Sequence, residues 1–280
     1  MPLFSKFFFA AGLLAFASPA AAAPATSVAA STTTPASPPS SGWRVVPNTV
    51  FAPGEEFLYS VKWGVITGGH STLAVVGLEN VDGRPAYHIV SEAQSVGVVD
   101  TFFKVKDKNE SWVDKDSLST VRYEKHIREG KYRVEESGMI DQVLHKFFSR
   151  AYRIDKDRWE EKQGDVTPHV LDVLGALYYV RTLPLEVGKS YSFDVHSGKK
   201  VWPLLVNVRK RERIKVAAGK FDCLLVEPVL REPGIFISKG KKLEVWMTDD
   251  ERRIPVKMRS EVVIGHVSAD LERFTYVPVK

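Results

Sequence analysis

Gly54-Glu55-Glu56-Phe57-Leu58-Tyr59-Ser60-Val61 returns 134 residues later as Gly188-Lys189-Ser190-Tyr191-Ser192-Phe193-Asp194-Val195. At the same offset Tyr87 matches Phe221, and Asp116 matches Asp250. Lys108, Glu110 and Trp112 likewise match Lys242, Glu244 and Trp246. The matched positions alternate, and alternation of aromatic or β-branched residues with polar ones marks half-buried strands. A β-rich unit used twice predicts a mainly β protein. Its body is expected to be one large curved antiparallel sheet, a β-spiral or open barrel, built from two similar half-units.

Outward from this repeat, a first half-unit is expected over 51–126, a helix-bearing insertion over 127–183 and a second half-unit over 184–276. Asp82-Gly83 is a hairpin turn, because glycine accepts the positive φ that a tight turn needs. Phe102 to Val113 reads as one strand. Pro255 places the start of its strand at an edge or a bulge. About a dozen strands are expected in all. Within the insertion, Thr167 is a plausible N-cap with Pro168 at the first helical position. Val170, Leu171, Val173, Leu174, Leu177 and Tyr178 give the following helix a broad apolar face. Such a helix needs a partner and can plug the concave side of the sheet.

The N-terminus has the pattern of a secretory signal over 1–23: Lys6, an apolar run from Phe7 to Phe16, and small residues from Ala20 to Ala23. The run is shorter than the roughly 20 residues of a membrane span. Residues 24–42 are rich in Ala, Pro, Ser and Thr and cannot bury enough surface to fold, so 24–49 is expected to be a disordered tether. Residues 50–280 are then one domain, exported to the periplasm. The single cysteine, Cys223, cannot form an internal disulfide. It lies in an apolar strand and reads as a packed, inert thiol. The net charge of +5 does not single out nucleic acid, and no nucleic-acid motif is present.

Phe51-Ala52-Pro53-Gly54-Glu55-Glu56-Phe57-Leu58-Tyr59, with Trp63-Gly64 and Gly68-Gly69 behind it, resembles the opening of the bacterial domain of unknown function 3108 family. Gly219-Lys220-Phe221-Asp222-Cys223, Val245-Trp246-Met247-Thr248-Asp249-Asp250 and Arg253-Ile254-Pro255-Val256 resemble its later landmarks. The resemblance implies an exported protein. It also implies a fold similar to periplasmic β-spiral proteins linked to envelope integrity. It supplies no catalytic residues.

The residues themselves point to little chemistry. The seven histidines show no metal-ligand spacing, and no nucleophile elbow is present. No cofactor, metal or catalytic residue is expected. Asp172 and Arg181 flank the helix and are expected to form a semi-buried ion pair. Asp249-Asp250-Glu251 reads as a solvated turn, and Gly68-Gly69 as a bend or bulge. The basic stretch around Arg209, Arg211 and Arg213, with Lys241 and Lys242, is the best surface for an anionic partner. Trp63, Tyr178 and Trp202 are candidate contacts for an apolar ligand.

The expected function is that of a non-enzymatic periplasmic binding or scaffold protein supporting the cell envelope. Its partner would be an envelope protein, a peptide, a lipid or an anionic envelope component. One alternative is a carrier holding a lipid between helix and sheet. Another is an envelope hydrolase whose residues converge from distant segments.

Overall fold

The computed structural model describes residues 43–198, 200–230, 242–261 and 265–279. The signal-like segment, most of the tether, Lys199, Lys239 and Lys241 lie outside the described residues. The first half of the chain forms β1 (Glu56–Trp63), β2 (Ile66–Val81), β3 (Arg84–Ser95), β4 (Lys106–Asp114), β5 (Thr120–Glu129), β6 (Tyr132–Asp141), β7 (Lys146–Arg153) and β8 (Arg158–Asp165). The second forms β9 (Ser190–Ser197), β10 (Lys200–Val216), β11 (Gly219–Leu230), β12 (Leu243–Thr248), β13 (Pro255–Glu261) and β14 (His266–Thr275). All fourteen strands pair in one sheet, in the order β8-β7-β6-β5-β4-β3-β2-β1-β14-β13-β12-β11-β10-β9. Every pairing between strands is antiparallel.

Backbone and side-chain bonds repeat with the sequence. Before β1, Glu55 N donates to Ala52 O at 3.2 Å and Gly54 N to Val75 O at 2.8 Å. Before β9, Lys189 N donates to Glu186 O at 3.0 Å and Gly188 N to Val208 O at 2.9 Å. Gly54 and Gly188 hold φ of 93° and 87°, which glycine alone adopts without strain. Trp112 Nε1 donates to Glu79 at 2.7 Å and Trp246 Nε1 to Glu212 at 2.6 Å. The equivalence runs on past 126, because β6 occupies in the first half the place that β14 has in the second. Among the described residues, β7, β8 and the helical segment after them have no counterpart, and positions 231–236, which match 97–102, lie outside the described residues.

Three local expectations are met for stated reasons. Asp82 and Gly83 take φ of 49° and 83° in the two-residue turn between Val81 and Arg84. Gly68 lies at a register shift between β1 and β2, so the glycine pair marks a bulge. Pro255 faces Met247 at another shift, although β13 is an interior strand and not an edge. Two expectations need correction. Phe102 to Val113 is not one strand. A short helix, α1 (Gly97–Phe102), precedes β4, and Val99 packs with Val61, Val105 and Val267 across one end of the sheet.

The main helix also starts later than Thr167. It is α2 (Val173–Arg181), capped by Asp172, whose Oδ1 accepts from Gly175 N at 2.8 Å, Ser111 Oγ at 2.8 Å and Thr120 Oγ1 at 2.9 Å. The backbone ahead of it is extended because it is needed elsewhere. Thr120 N donates to Val170 O at 3.2 Å, and Leu171 N donates to Asp194 O at 3.2 Å. This short stretch links β5 to the otherwise free edge of β9 and so helps to close the curved sheet.

Inside, α2 is almost wholly buried and packs among side chains from both half-units. Tyr178 meets Phe51 edge-on at 4.9 Å. Arg181, at the last turn of α2, has no exposed surface. Its guanidinium grips Glu55 with two bonds of 2.6 and 2.8 Å and donates to the carbonyls of Arg252 at 3.1 Å and Arg253 at 3.2 Å. The expected Asp172–Arg181 pair is therefore not formed. The two groups sit at opposite ends of α2, and each is satisfied where it sits.

The helix docks closely enough to test. A Cβ on Gly175 would lie 2.7 Å from Thr120 Oγ1 and 2.8 Å from Asp172 Oδ1. Alanine is ordinarily the better helix former by roughly 0.8–1.0 kcal/mol. Here Gly175→Ala should instead destabilise by about 1–3 kcal/mol. Urea denaturation checks this, and a stabilised variant would contradict the packing.

Candidate functional site

The inner face of the sheet turns polar beyond α2. Cross-strand pairing sets Asn109 opposite Lys125 and Lys125 opposite Glu136, while Lys162 reaches Glu136 at 3.4 Å. Burial alone would raise the Glu136 carboxyl, but Lys125 and Lys162 outweigh it and hold the group below its usual value. Burial, reinforced by Lys125, pushes His196 down to about 4, so its ring is neutral at pH 7. The space beside Tyr123, Lys125, Asp172, His196 and Ser197 is about 10 Å³. That is room for one water. This part of the interior is a structural charge cluster with no chamber for a lipid.

The outer face carries the larger opening. A groove of about 470 Å³ crosses β2 to β6, lined by His70, Glu92, Gln94, Lys106, Lys108, His126, Arg128 and Glu135, among others. Alternation along each strand brings these side chains to one face, and the register aligns them. Glu92 lies opposite Lys108, Lys108 opposite His126, and His126 opposite Glu135. Next to the groove, His88 stacks on Trp112 at 4.4 Å and 8°. The two nitrogens of His88 reach Glu79 and Glu110, each at 2.8 Å. His126 faces Glu110 at 3.6 Å and Glu124 at 3.7 Å, and its Nδ1 donates to Glu135. Burial would raise the Glu110 carboxyl, but bonds from Lys108 and His88 hold it below its ordinary value.

The residues singled out from sequence are placed differently. Arg209 pairs with Glu227, Arg211 with Asp249 at 2.5 Å, and Arg213 with Asp222 at 2.8 and 3.0 Å. Among the described residues these three arginines are each matched by an acid, on β11 or in the turn after β12. Lys242 donates its backbone N to Glu261 at 3.4 Å, and Lys241 lies outside the described residues. Tyr178 is wholly buried, Trp63 is 36% exposed, and Trp202 packs on the core beneath Lys200. Asp249 and Asp250 are held by Arg211, Arg252 and Arg253. Cys223 is buried, and that burial pushes its thiol up to about 12, which keeps it unreactive. The groove residues were missed because they lie on five strands. The available signal was Glu124-x-His126, two residues that alternation puts on one strand face opposite Glu110.

At the end of β5 lies a second pair of carboxyls. Asp107 Oδ1 accepts from Arg128 N at 2.8 Å, and the neighbouring Glu129 is buried. Burial, then the Asp107 charge, raises the Glu129 carboxyl well above its ordinary value. A raised carboxyl favours the folded state at low pH, and that contribution fades as pH climbs from the ordinary carboxylate range through the raised value. Glu129→Gln mimics the protonated form and does not titrate. Its melting temperature relative to the parent should therefore rise between pH 5 and pH 8. A difference that stays constant with pH would contradict the raised Glu129 carboxyl.

Known proteins match this architecture. A crystal structure of a β-barrel-like protein of domain of unknown function DUF1849 from Brucella abortus aligns with a TM-score of 0.54 at 12% identity, over 84% of this chain and 100% of that one. A candidate lipoprotein from Parabacteroides distasonis aligns at 10% identity with a TM-score of 0.35, over 83% of this chain and 99% of its own. A candidate exported protein with a YmcC-like fold from Bacteroides fragilis aligns at 10% identity with a TM-score of 0.30, with the same coverage. The first likeness shows the fold alone. No curated protein matches the chain. Among the described residues no helix is long and apolar enough to cross a membrane. The family model of the proteins of unknown function DUF3108 matches residues 58–272, and the chain belongs to that family.

Proposed function

We propose that this chain is an exported, periplasmic, non-enzymatic binding protein that supports the cell envelope by docking a partner in the outer groove of its first half. The observation that carries this reading is the groove itself, about 470 Å³, with basic, acidic and histidine side chains aligned on one sheet face. Its charged and histidine side chains suit a segment of an envelope protein or peptide bearing both charges. The signal-like N-terminus supports export. The duplicate half supports the choice of face. There, Glu244 meets Arg259 at 2.7 Å, and Trp246 lies under the same arginine at 5.2 Å. An arginine stands opposite that glutamate, where the first half sets Glu124 opposite Glu110.

The carrier alternative has no cavity in its favour at the start of α2, where the free space is about 10 Å³. The hydrolase alternative draws on one observation, that His126 shares the groove with carboxylates.

Complementation tests the docking reading. A strain lacking the protein should gain detergent and antibiotic sensitivity, and the parent chain should reverse it. A Glu92→Ala, Lys106→Ala double variant, shown to be folded by circular dichroism, should fail to reverse it. Arg211→Ala and Arg213→Ala should reverse it as well as the parent does. Full complementation by the groove variant, or a deletion without any envelope phenotype, would overturn the proposal.

A further inference from the structure

Glu110, Glu124 and His126 place three ligand-type atoms within 4.8 Å of one another. Glu110 lies directly opposite Glu124 in the β4–β5 register, and His126 follows on the same face of β5. Each residue has its other polar atom engaged. Glu110 Oε2 is 2.8 Å from His88 Nε2, Arg122 holds Glu124 Oε1, and Glu135 accepts from His126 Nδ1. What converges is Glu110 Oε1, Glu124 Oε2 and His126 Nε2.

The spacing identifies what belongs between them. With Nδ1 engaged by Glu135, Nε2 is the ring nitrogen that faces the two carboxylates. The separations, 3.6 Å to Glu110 and 3.7 Å to Glu124, exceed hydrogen-bonding distance. A tetrahedral ion with bonds of roughly 2.0–2.1 Å sets its ligand atoms about 3.4 Å apart, close to what is seen here. A histidine that gives its second ring N–H to a carboxylate is the usual outer partner arrangement of metal-bound imidazole.

The duplicate half is an internal control. Opposed like charges on neighbouring strands are destabilising. The second half avoids them by setting Arg259 opposite Glu244, whereas the first half keeps Glu124 opposite Glu110. Lys108 on Glu110 and Arg122 on Glu124 offset part of that opposition, and a divalent cation between the two carboxylates would offset the rest.

We propose that Glu110, Glu124 and His126 form a binding site for a divalent cation of the zinc class, with its remaining position open to the groove. Glu135, His88 and Arg122 are positioning residues that orient the three ligands. Lys108 Nζ stands 2.8 Å from Glu110 Oε1 and competes for the same oxygen. Its side chain is 42% exposed, so it can swing into solvent when the ion enters. The site does not depend on the docking partner, and the Glu92 and Lys106 substitutions that test docking leave all three ligands in place.

The test titrates the signal-free chain, freed of metal by a chelator, with Zn²⁺ by calorimetry and with Co²⁺ by visible absorption. One equivalent should bind, and Co²⁺ should show the intense bands of a four-coordinate centre. Glu124→Gln and His126→Ala, each checked for an unchanged circular dichroism spectrum, should weaken binding more than tenfold. Glu135→Gln should weaken it about 10–100-fold. Lys108→Gln should tighten it several-fold, a change that a merely structural cluster would not give, and Glu244→Gln should change nothing. Absence of one-equivalent binding, or binding that survives both ligand substitutions, would overturn the site.

Discussion

One guanidinium, that of Arg181, holds the molecule at the point where its three parts meet. It belongs to the helix, its carboxylate partner Glu55 leads into the first half-unit, and its two carbonyl acceptors lie in a turn of the second. A charge with no exposed surface has lost its hydration, and only complete pairing offsets that loss. Burial raises the Glu55 carboxyl above its ordinary value, opposed by Arg181. On the other side, Glu55 outweighs burial and holds the Arg181 pKa above its ordinary value. An arginine stays protonated in any case, so the two-bond grip keeps the carboxylate ionised. The rings of Phe57 and Tyr178 lie 5.2 and 5.0 Å from the same guanidinium, so water is kept away.

The proposed docking site lies away from this arrangement. The helix and its ion pair pack inside the curved sheet, and Lys125, Glu136 and Lys162 form a charge cluster beyond them. The groove is on the outer face. There the two half-units have diverged from one plan. Both keep a tryptophan bonded to a glutamate, through Trp112 and Trp246. Among the described residues, only the first half surrounds it with histidines and opposed carboxylates.

The repeat made much of the sheet legible. Gly54 and Gly188 mark matching turns because both need a positive φ, and the Lys-x-Glu-x-Trp strands sit in matching places. The helix was visible as an apolar face, but its start was not. Thr167 and Pro168 carry a local capping signal, while Val170 and Leu171 are held extended by bonds to Thr120 and Asp194, far away in sequence. The partner of Arg181 was hidden for the same reason, since Glu55 is 126 residues distant. The groove was not legible from spacing at all. A cluster assembled across five strands depends on register, which a single sequence does not disclose. The acids that pair with Arg209, Arg211 and Arg213 were hidden in the same way, since Glu227 and Asp222 lie on β11 and Asp249 beyond β12.

The central claim is that Arg181 and Glu55 act as one unit binding the half-units to the helix. A double-mutant cycle measures it most directly. Arg181→Met, Glu55→Gln and the double variant are unfolded in urea beside the parent chain. Removing one partner of a buried pair typically costs about 3–5 kcal/mol. The account predicts that the double variant loses far less than the sum of the single losses, with a coupling energy of about 2–3 kcal/mol. Additive losses, with no coupling between the two positions, would contradict it.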